Sequence, residues 1–213
     1  MIKKTVIYMI TEEKFRKRDT EKLRGYFLKL HRENSLFHNH EKDSTSIYRM
    51  PLIQYKVVKN QLCVVGLSKA SRMIIEEFLK LKTLNINGKE IKIQSAQLQY
   101  YEEEMFVDTQ LHEYKFRSMW LPITQRNYHG YKNGTLNLNK VLQNNILTNF
   151  KGFNIQAENR IMVSGKFREA QLVLKNKKMI GFYGEFVSNV VLPELIGIGQ
   201  HRSIGYGDVV KIT

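Results

Sequence analysis

The 213-residue sequence contains a single cysteine, which excludes a disulfide framework and leaves no cysteine cluster for a structural zinc. Cys63 sits in the apolar run Leu62–Val65 and reads as a core residue. No apolar run approaches the about 18 residues of a membrane span, and no signal-peptide pattern opens the chain, so a cytoplasmic location is expected and a membrane partner is not. Acidic side chains are the scarcer charge, 20 Asp and Glu against 34 Lys and Arg, and the net charge of +14 points away from a neutral metabolite and towards a polyanion, nucleic acid first. No low-complexity segment marks a linker. The one glycine-rich stretch lacks the Gly-Lys-Ser/Thr of a nucleotide-binding P-loop, which sets aside an ATP- or GTP-using enzyme.

What is present is enough apolar residue, 42%, for a chain of this length to bury on the order of 70% of its unfolded surface, in one large or two small domains. Charge is uneven: residues 1–95 carry 20 basic and 10 acidic side chains, residues 96–213 carry 14 and 10. The N-terminal half is expected to have the stronger field.

Lys3–Ile10 is a β-rich opening, and Thr20 is placed to cap a helix whose Leu23, Tyr26, Phe27 and Leu30 recur at helical spacing. Pro51–Val58 and Gln61–Gly66 flank the turn Lys59-Asn60 as a β-hairpin. Ser68 caps a second helix with the stripe Met73, Ile74, Phe78 and Leu81, and Thr83–Ile93 pairs around Asn87-Gly88. The order β-α-β-β-α-β predicts a ferredoxin-like domain over 1–95. From 96 to 213 a second, modified copy is expected, with strands near Gln97–Tyr101 and Tyr114–Leu121, a helix over Asn139–Phe150, and strands over Ile161–Phe167, Ala170–Leu174 and Ile180–Val187. No second helix is legible between Phe186 and Gly197. The fold class is thus α+β, two tandem ferredoxin-like domains of RNA-recognition type.

Two loops carry the candidate chemistry. Gly197-Ile-Gly199-Gln-His201-Arg202-Ser-Ile-Gly205-Tyr-Gly207 reads as a backbone-lined phosphate cradle with His201 and Arg202 as donors, or as a tight connection before the last strand. The segment Ser35–Pro51 concentrates His38, His40, Tyr48 and Arg49. Two histidines that titrate near neutrality can divide the work of base and acid in a metal-free RNA cleavage, while Arg49 faces the charge of the phosphorane. Solvated loop histidines are the bland reading. An H-x-H zinc site lacks the remaining ligands, and the bare letters His-Asn-His do not make a β-β-α nuclease finger. His31 ends the first helix, near its dipole; His112 and His129 read as surface residues. Tyr100, Tyr101, Tyr128, Tyr131, Phe182 and Tyr183 are available for stacking on bases or for the core.

The β-α-β-β-α-β start, the Phe37-His38-Asn39-His40 loop, the following Tyr48-Arg49-Met50-Pro51 and the terminal pair of Gly-x-Gly motifs together resemble the CRISPR repeat-RNA-processing endoribonucleases of the RAMP superfamily. The resemblance covers the whole chain. It implies two ferredoxin-like domains, no cofactor, and a cut within the repeat of precursor CRISPR RNA that leaves a 5′-hydroxyl and a 2′,3′-cyclic phosphate. It implies His38 and His40 as catalytic, with Tyr48 as a third member, and Gly197, Gly199, Gly205 and Gly207 as the signature loop; beside it, Arg49, His201 and Arg202 are read from their own chemistry as RNA contacts. Which histidine is base and which acid stays open. Implied partners are repeat RNA, subunits of a CRISPR effector complex and a second copy of the chain. The alternative within the same superfamily is a non-catalytic subunit that holds guide RNA in an effector assembly.

Overall fold

The computed structural model describes residues 1–34, 36–37, 50–86 and 88–212. The chain divides into two units, Met1–Glu103 with Ser203–Gly205, and Glu104–Arg202 with Tyr206–Thr213.

The N-terminal unit runs β1 (Ile2–Ile10), α1 (Asp19–Leu30), β2 (Ile53–Val58), β3 (Gln61–Leu67), α2 (Lys69–Phe78), β4 (Thr83–Ile86), β5 (Lys89–Lys92) and β6 (Ser95–Glu103). Its sheet is antiparallel in the order β2-β3-β1-β6. That is the ferredoxin-like arrangement, with one change from the sequence expectation. Thr83–Ile93 does fold as a hairpin, β4 with β5, but it stands apart from the main sheet, and the strand that completes the sheet is β6. The unit therefore ends at Glu103, one strand beyond the boundary expected at 95. A strand is legible near Gln97–Tyr101, but nothing in β6 announces its partner, because its residues Ser95–Glu102 are exposed on both faces and leave no buried side to assign.

The β2–β3 turn is closed by Lys59 and Asn60 at φ 48° and 64°, the two-residue geometry that matches strand twist. Between the helices and the sheet lie Ile7, Met9, Leu23, Phe27, Ile53, Tyr55, Ile74 and Phe78, all buried. Gly66 lets α2 approach β3: a Cβ there would stand 2.7 Å from the Ala70 carbonyl oxygen. Two expectations for α1 need correction. Thr20 lies inside the helix, whose N-cap is Arg18, and its hydroxyl donates to the Lys17 and Ile204 carbonyls at 2.7 and 2.9 Å. Leu30 is 51% exposed, since the last turn runs past the edge of the core. Ser68 does precede α2 as its N-cap, without a capping hydrogen bond from its side chain.

The C-terminal unit runs β7 (Phe106–Phe116), α3 (Gln125–Lys132), α4 (Leu138–Gly152), β8 (Val163–Leu174), β9 (Lys177–Val191), a 3₁₀ turn (Arg202–Ile204, whose last two residues count with the first unit) and β10 (Val209–Lys211). The sheet order β10-β7-β9-β8 repeats the first unit, all antiparallel. Where a second helix would stand, an irregular segment runs from Leu192 to the 3₁₀ turn, which is why the sequence shows no helical period there. The short α3 was not expected from its polar composition. It is defined by a capping box, Thr124 accepting from Asn127 N–H while Asn127 Oδ1 accepts from Thr124 N–H. Likewise β8 is one continuous strand across Arg168-Glu169, where sequence reading breaks it, because cross-strand pairing overrides the two exposed charges. Among the described residues no helix is long and apolar enough to cross a membrane.

Candidate nucleic-acid interface

The terminal glycine loop is held by one hydrogen bond across its own ends and by others to the segment Ser118–Leu121. Ile198 N–H donates to the Gly207 carbonyl at 2.9 Å, Gly207 N–H to Met119 at 2.9 Å, Gln200 N–H to Leu121 at 3.2 Å and Asp208 N–H to Ser118 Oγ at 2.9 Å. Gly207 has φ +67°, and a Cβ there would lie 1.8 Å from the Ile198 oxygen, so no other residue closes this loop without displacing it. Gly199, at φ +88°, packs on the edge of the Trp120 indole. Asn149, buried on α4, donates to the Gly197 carbonyl at 3.2 Å and accepts a hydrogen bond from the Arg202 guanidinium. Arg202 is only 6% exposed, so in this conformation it fastens the loop from inside, a different geometry from an outward phosphate donor. His201, at φ +54°, is the exposed side chain of the loop.

Ser203–Gly205 belong with the N-terminal unit. The Ile204 carbonyl accepts from Thr20 Oγ1 and from Lys17 Nζ, and Gly205, at φ +78°, is close enough to β2 that a Cβ would stand 2.8 Å from the Tyr55 oxygen. Gly197 keeps an ordinary φ but is equally tight: a Cβ would meet Arg202 Cβ at 2.5 Å.

His38, His40, Tyr48 and Arg49 lie outside the described residues. The segment that holds them leaves α1 and enters β2 at two buried anchors, Phe37 and Met50, each 4% exposed. Phe37 stacks on His31 at 4.1 Å between ring centroids. His31 itself is the C-cap of α1, its backbone N–H donating to Phe27, with its ring 3.6 Å from a Glu77 carboxylate oxygen.

Of the remaining histidines, His129 is exposed as expected, but His112 is not a surface residue: it is 8% exposed, with Nε2 2.9 Å from Asp108 Oδ2. A register shift in β7 between Val107 and His112 interrupts the regular alternation where the pair meets, which a linear reading of a polar segment does not show. Desolvation is the largest influence on the Asp108 carboxyl and pushes its pKa up; hydrogen bonds from His112 and the N–H groups of Gln110 and Thr109 outweigh it, so the net position is below the usual 3.8. A depressed carboxyl stabilises the fold above its unfolded pKa and loses that contribution as pH falls through the lower folded value. Asp108→Asn is therefore expected to lower the urea midpoint at pH 7, with the gap from the parent protein closing as pH falls below the ordinary carboxylate range; a gap independent of pH would sink this account.

Among the stacking candidates, Tyr100, Tyr101, Tyr128 and Tyr183 are exposed, Tyr131 donates to the Glu169 carboxylate, and Phe182 is buried. Among the described residues no three His, Cys, Asp or Glu side chains converge as metal ligands.

Comparison with known proteins accounts for both units. The Cas6b N-terminal domain model matches residues 1–104 and the Cas6b C-terminal domain model residues 106–212. A crystal structure of Cas6b superposes with a TM-score of 0.92 at 27% identity, covering 99% of each chain. A second, described as the CRISPR RNA processing endoribonuclease Cas6b, gives 0.78 at 24% identity over 100% of both chains. An uncharacterized protein of Methanocaldococcus jannaschii is 32% identical over 144 residues, 64% of this chain and 97% of its own. With both halves matched in sequence and the tandem ferredoxin-like architecture shared end to end, the chain belongs to the Cas6b family.

Proposed function

We propose that this chain is a metal-independent endoribonuclease that cuts precursor CRISPR RNA within the repeat and so produces guide RNA. The observation that carries the reading is the family match across both domains, together with a crystal relative whose name states CRISPR RNA processing. The net charge of +14 suits an RNA substrate.

In the proposed reaction one of His38 and His40 takes the proton of the ribose 2′-OH. The 2′-oxygen bonds to the adjacent phosphorus in line as the bond to the 5′-oxygen breaks, and the other histidine returns a proton to that oxygen. The products are a 2′,3′-cyclic phosphate and a 5′-hydroxyl. Tyr48 is assigned as a third hydrogen-bonding member, and Arg49 as the cation opposite the extra charge of the phosphorane. The described residues on either side of this segment, Phe37 and Met50, are both buried. His201, exposed on the glycine loop, is assigned to the RNA backbone.

The test is incubation with end-labelled repeat RNA in excess EDTA, beside a substrate carrying a 2′-deoxy sugar at the cut. The expected result is one cut ending in a cyclic phosphate, blocked by the 2′-deoxy sugar. Cleavage that needs magnesium, or that survives the 2′-deoxy sugar, would overturn the mechanism; binding without any cleavage would favour an RNA-holding subunit of an effector assembly.

A further inference from the structure

One face of the C-terminal sheet is occupied by the aromatic core, Tyr114, Phe116, Phe182 and Phe186, all buried. The opposite face is open. Strand register sets its side chains in rows: Glu113, Val187 and Ser164; then Lys115, Glu185 and Lys166; then Tyr183 beside Arg168. Paired residues in such rows have Cβ atoms roughly 5 Å apart, within reach of one small ligand. A groove of about 830 Å³ runs along these rows between Glu113 and Arg168.

The chemistry of the rows selects the ligand. Tyr183 is 37% exposed and has Arg168 as its cross-strand partner, so an aromatic ring and a guanidinium are within reach of one ligand. Lys115 and Lys166 flank Glu185, so a phosphate centred on the groove meets a carboxylate, whereas phosphates at its margins meet cations. The centre instead suits a group that donates hydrogen bonds, since an ionised carboxylate only accepts. Of the four bases, guanine presents two adjacent donors, N1–H and N2–H, on one edge.

We propose that this face holds one unpaired guanosine of the RNA substrate, its base stacked on Tyr183, its donor edge on Glu185, and the neighbouring phosphates on Arg168, Lys166 and Lys115. The assignment rests on the RNA reading given above for the nuclease. It requires a single strand, because a base inside a duplex has both faces covered.

The test is fluorescence anisotropy of the full-length protein on a labelled uridine tract containing one guanosine, made with 2′-O-methyl sugars so that it is not cut, beside the all-uridine tract and a blunt duplex. The guanosine strand is expected to bind tighter than the uridine strand by about fivefold or more. Tyr183→Ala should weaken it by about tenfold and Tyr183→Phe should restore it, since the ring and not the hydroxyl is used. Glu185→Gln should remove the guanosine preference. Affinities of Tyr183→Ala within about twofold of the parent protein, or a duplex bound tighter than the guanosine strand, would overturn the proposal. Repeat cleavage scored on the same preparations separates the two readings. Cleavage with no Tyr183 effect leaves the nuclease and removes this site, while Tyr183-dependent binding by a protein that does not cut leaves the site and removes the nuclease.

Discussion

Alanine at either His38 or His40 is expected to slow single-turnover cleavage of repeat RNA by roughly 10²–10⁴-fold, the contribution of one well-placed general acid or base. The double variant should be little worse than the poorer single one, because two groups that act in one proton-transfer step do not contribute independently. RNA affinity should stay within a few-fold of the parent protein, since the phosphate contacts assigned to Arg49 and His201 are untouched. The logarithm of the parent rate against pH should rise and then fall, and each single variant should lose one limb. Which limb disappears assigns the base and the acid, the question that the residues leave open. Cleavage within about tenfold of the parent in both single variants would remove the histidines from the chemistry. Loss of binding together with cleavage would make the loop a structural element.

The second large effect is on stability. Trp120 is fully buried, bridges to Phe182 through backbone hydrogen bonds of 2.8 Å in both directions, and stacks on Phe116 with centroids 5.4 Å apart and planes 3° from parallel. Its indole N–H donates to Asn145 Oδ1 at 3.0 Å, and Gly199 lies against its edge. Trp120→Ala is expected to cost about 3–5 kcal/mol through lost burial and the cavity left among Phe116, Phe167 and Phe182. That lowers the melting temperature of the C-terminal unit on the order of 10 °C or more. Trp120→Phe, which keeps the stack and loses the hydrogen bond, should cost about 1 kcal/mol. Urea denaturation followed by far-UV circular dichroism measures both. A cost below about 1 kcal/mol for the alanine would show that this aromatic cluster does not hold the sheet to the glycine loop.

How far the fold could be read varied with how local its determinants are. The β2–β3 hairpin was legible because Lys59-Asn60 is a two-residue turn between apolar strands, and both residues take the positive φ that such a turn needs. The α2 stripe was legible from the apolar period of one helix face at Met73, Ile74 and Phe78, although the helix ends at Phe78 and leaves Leu81 beyond it. Thr20 misled because a threonine before an apolar stripe reads as a cap, whereas its hydroxyl is used by the Ile204 carbonyl, 184 positions away. His112 misled because its partner Asp108 is reached only through an irregular strand. In the glycine loop the positive-φ positions Gly199, Gly205 and Gly207 were legible as backbone specials, but the inward pairing of Arg202 with Asn149 was not, since α4 lies some fifty residues earlier.

The sequence by itself determined α1, α2 and α4, the hairpins of the first unit, the basic charge, and the two loops that concentrate histidine and glycine. Those are properties of neighbouring residues and of composition. Only the tertiary structure decided that β6 completes the first sheet, that Arg202 faces Asn149, and that Tyr183, Arg168 and Glu185 share an open face with Lys115 and Lys166. The physical reason is common to all three. Cross-strand register and side-chain pairing between distant segments are settled by the packing of whole surfaces, and the sequence of any one segment is compatible with several partners.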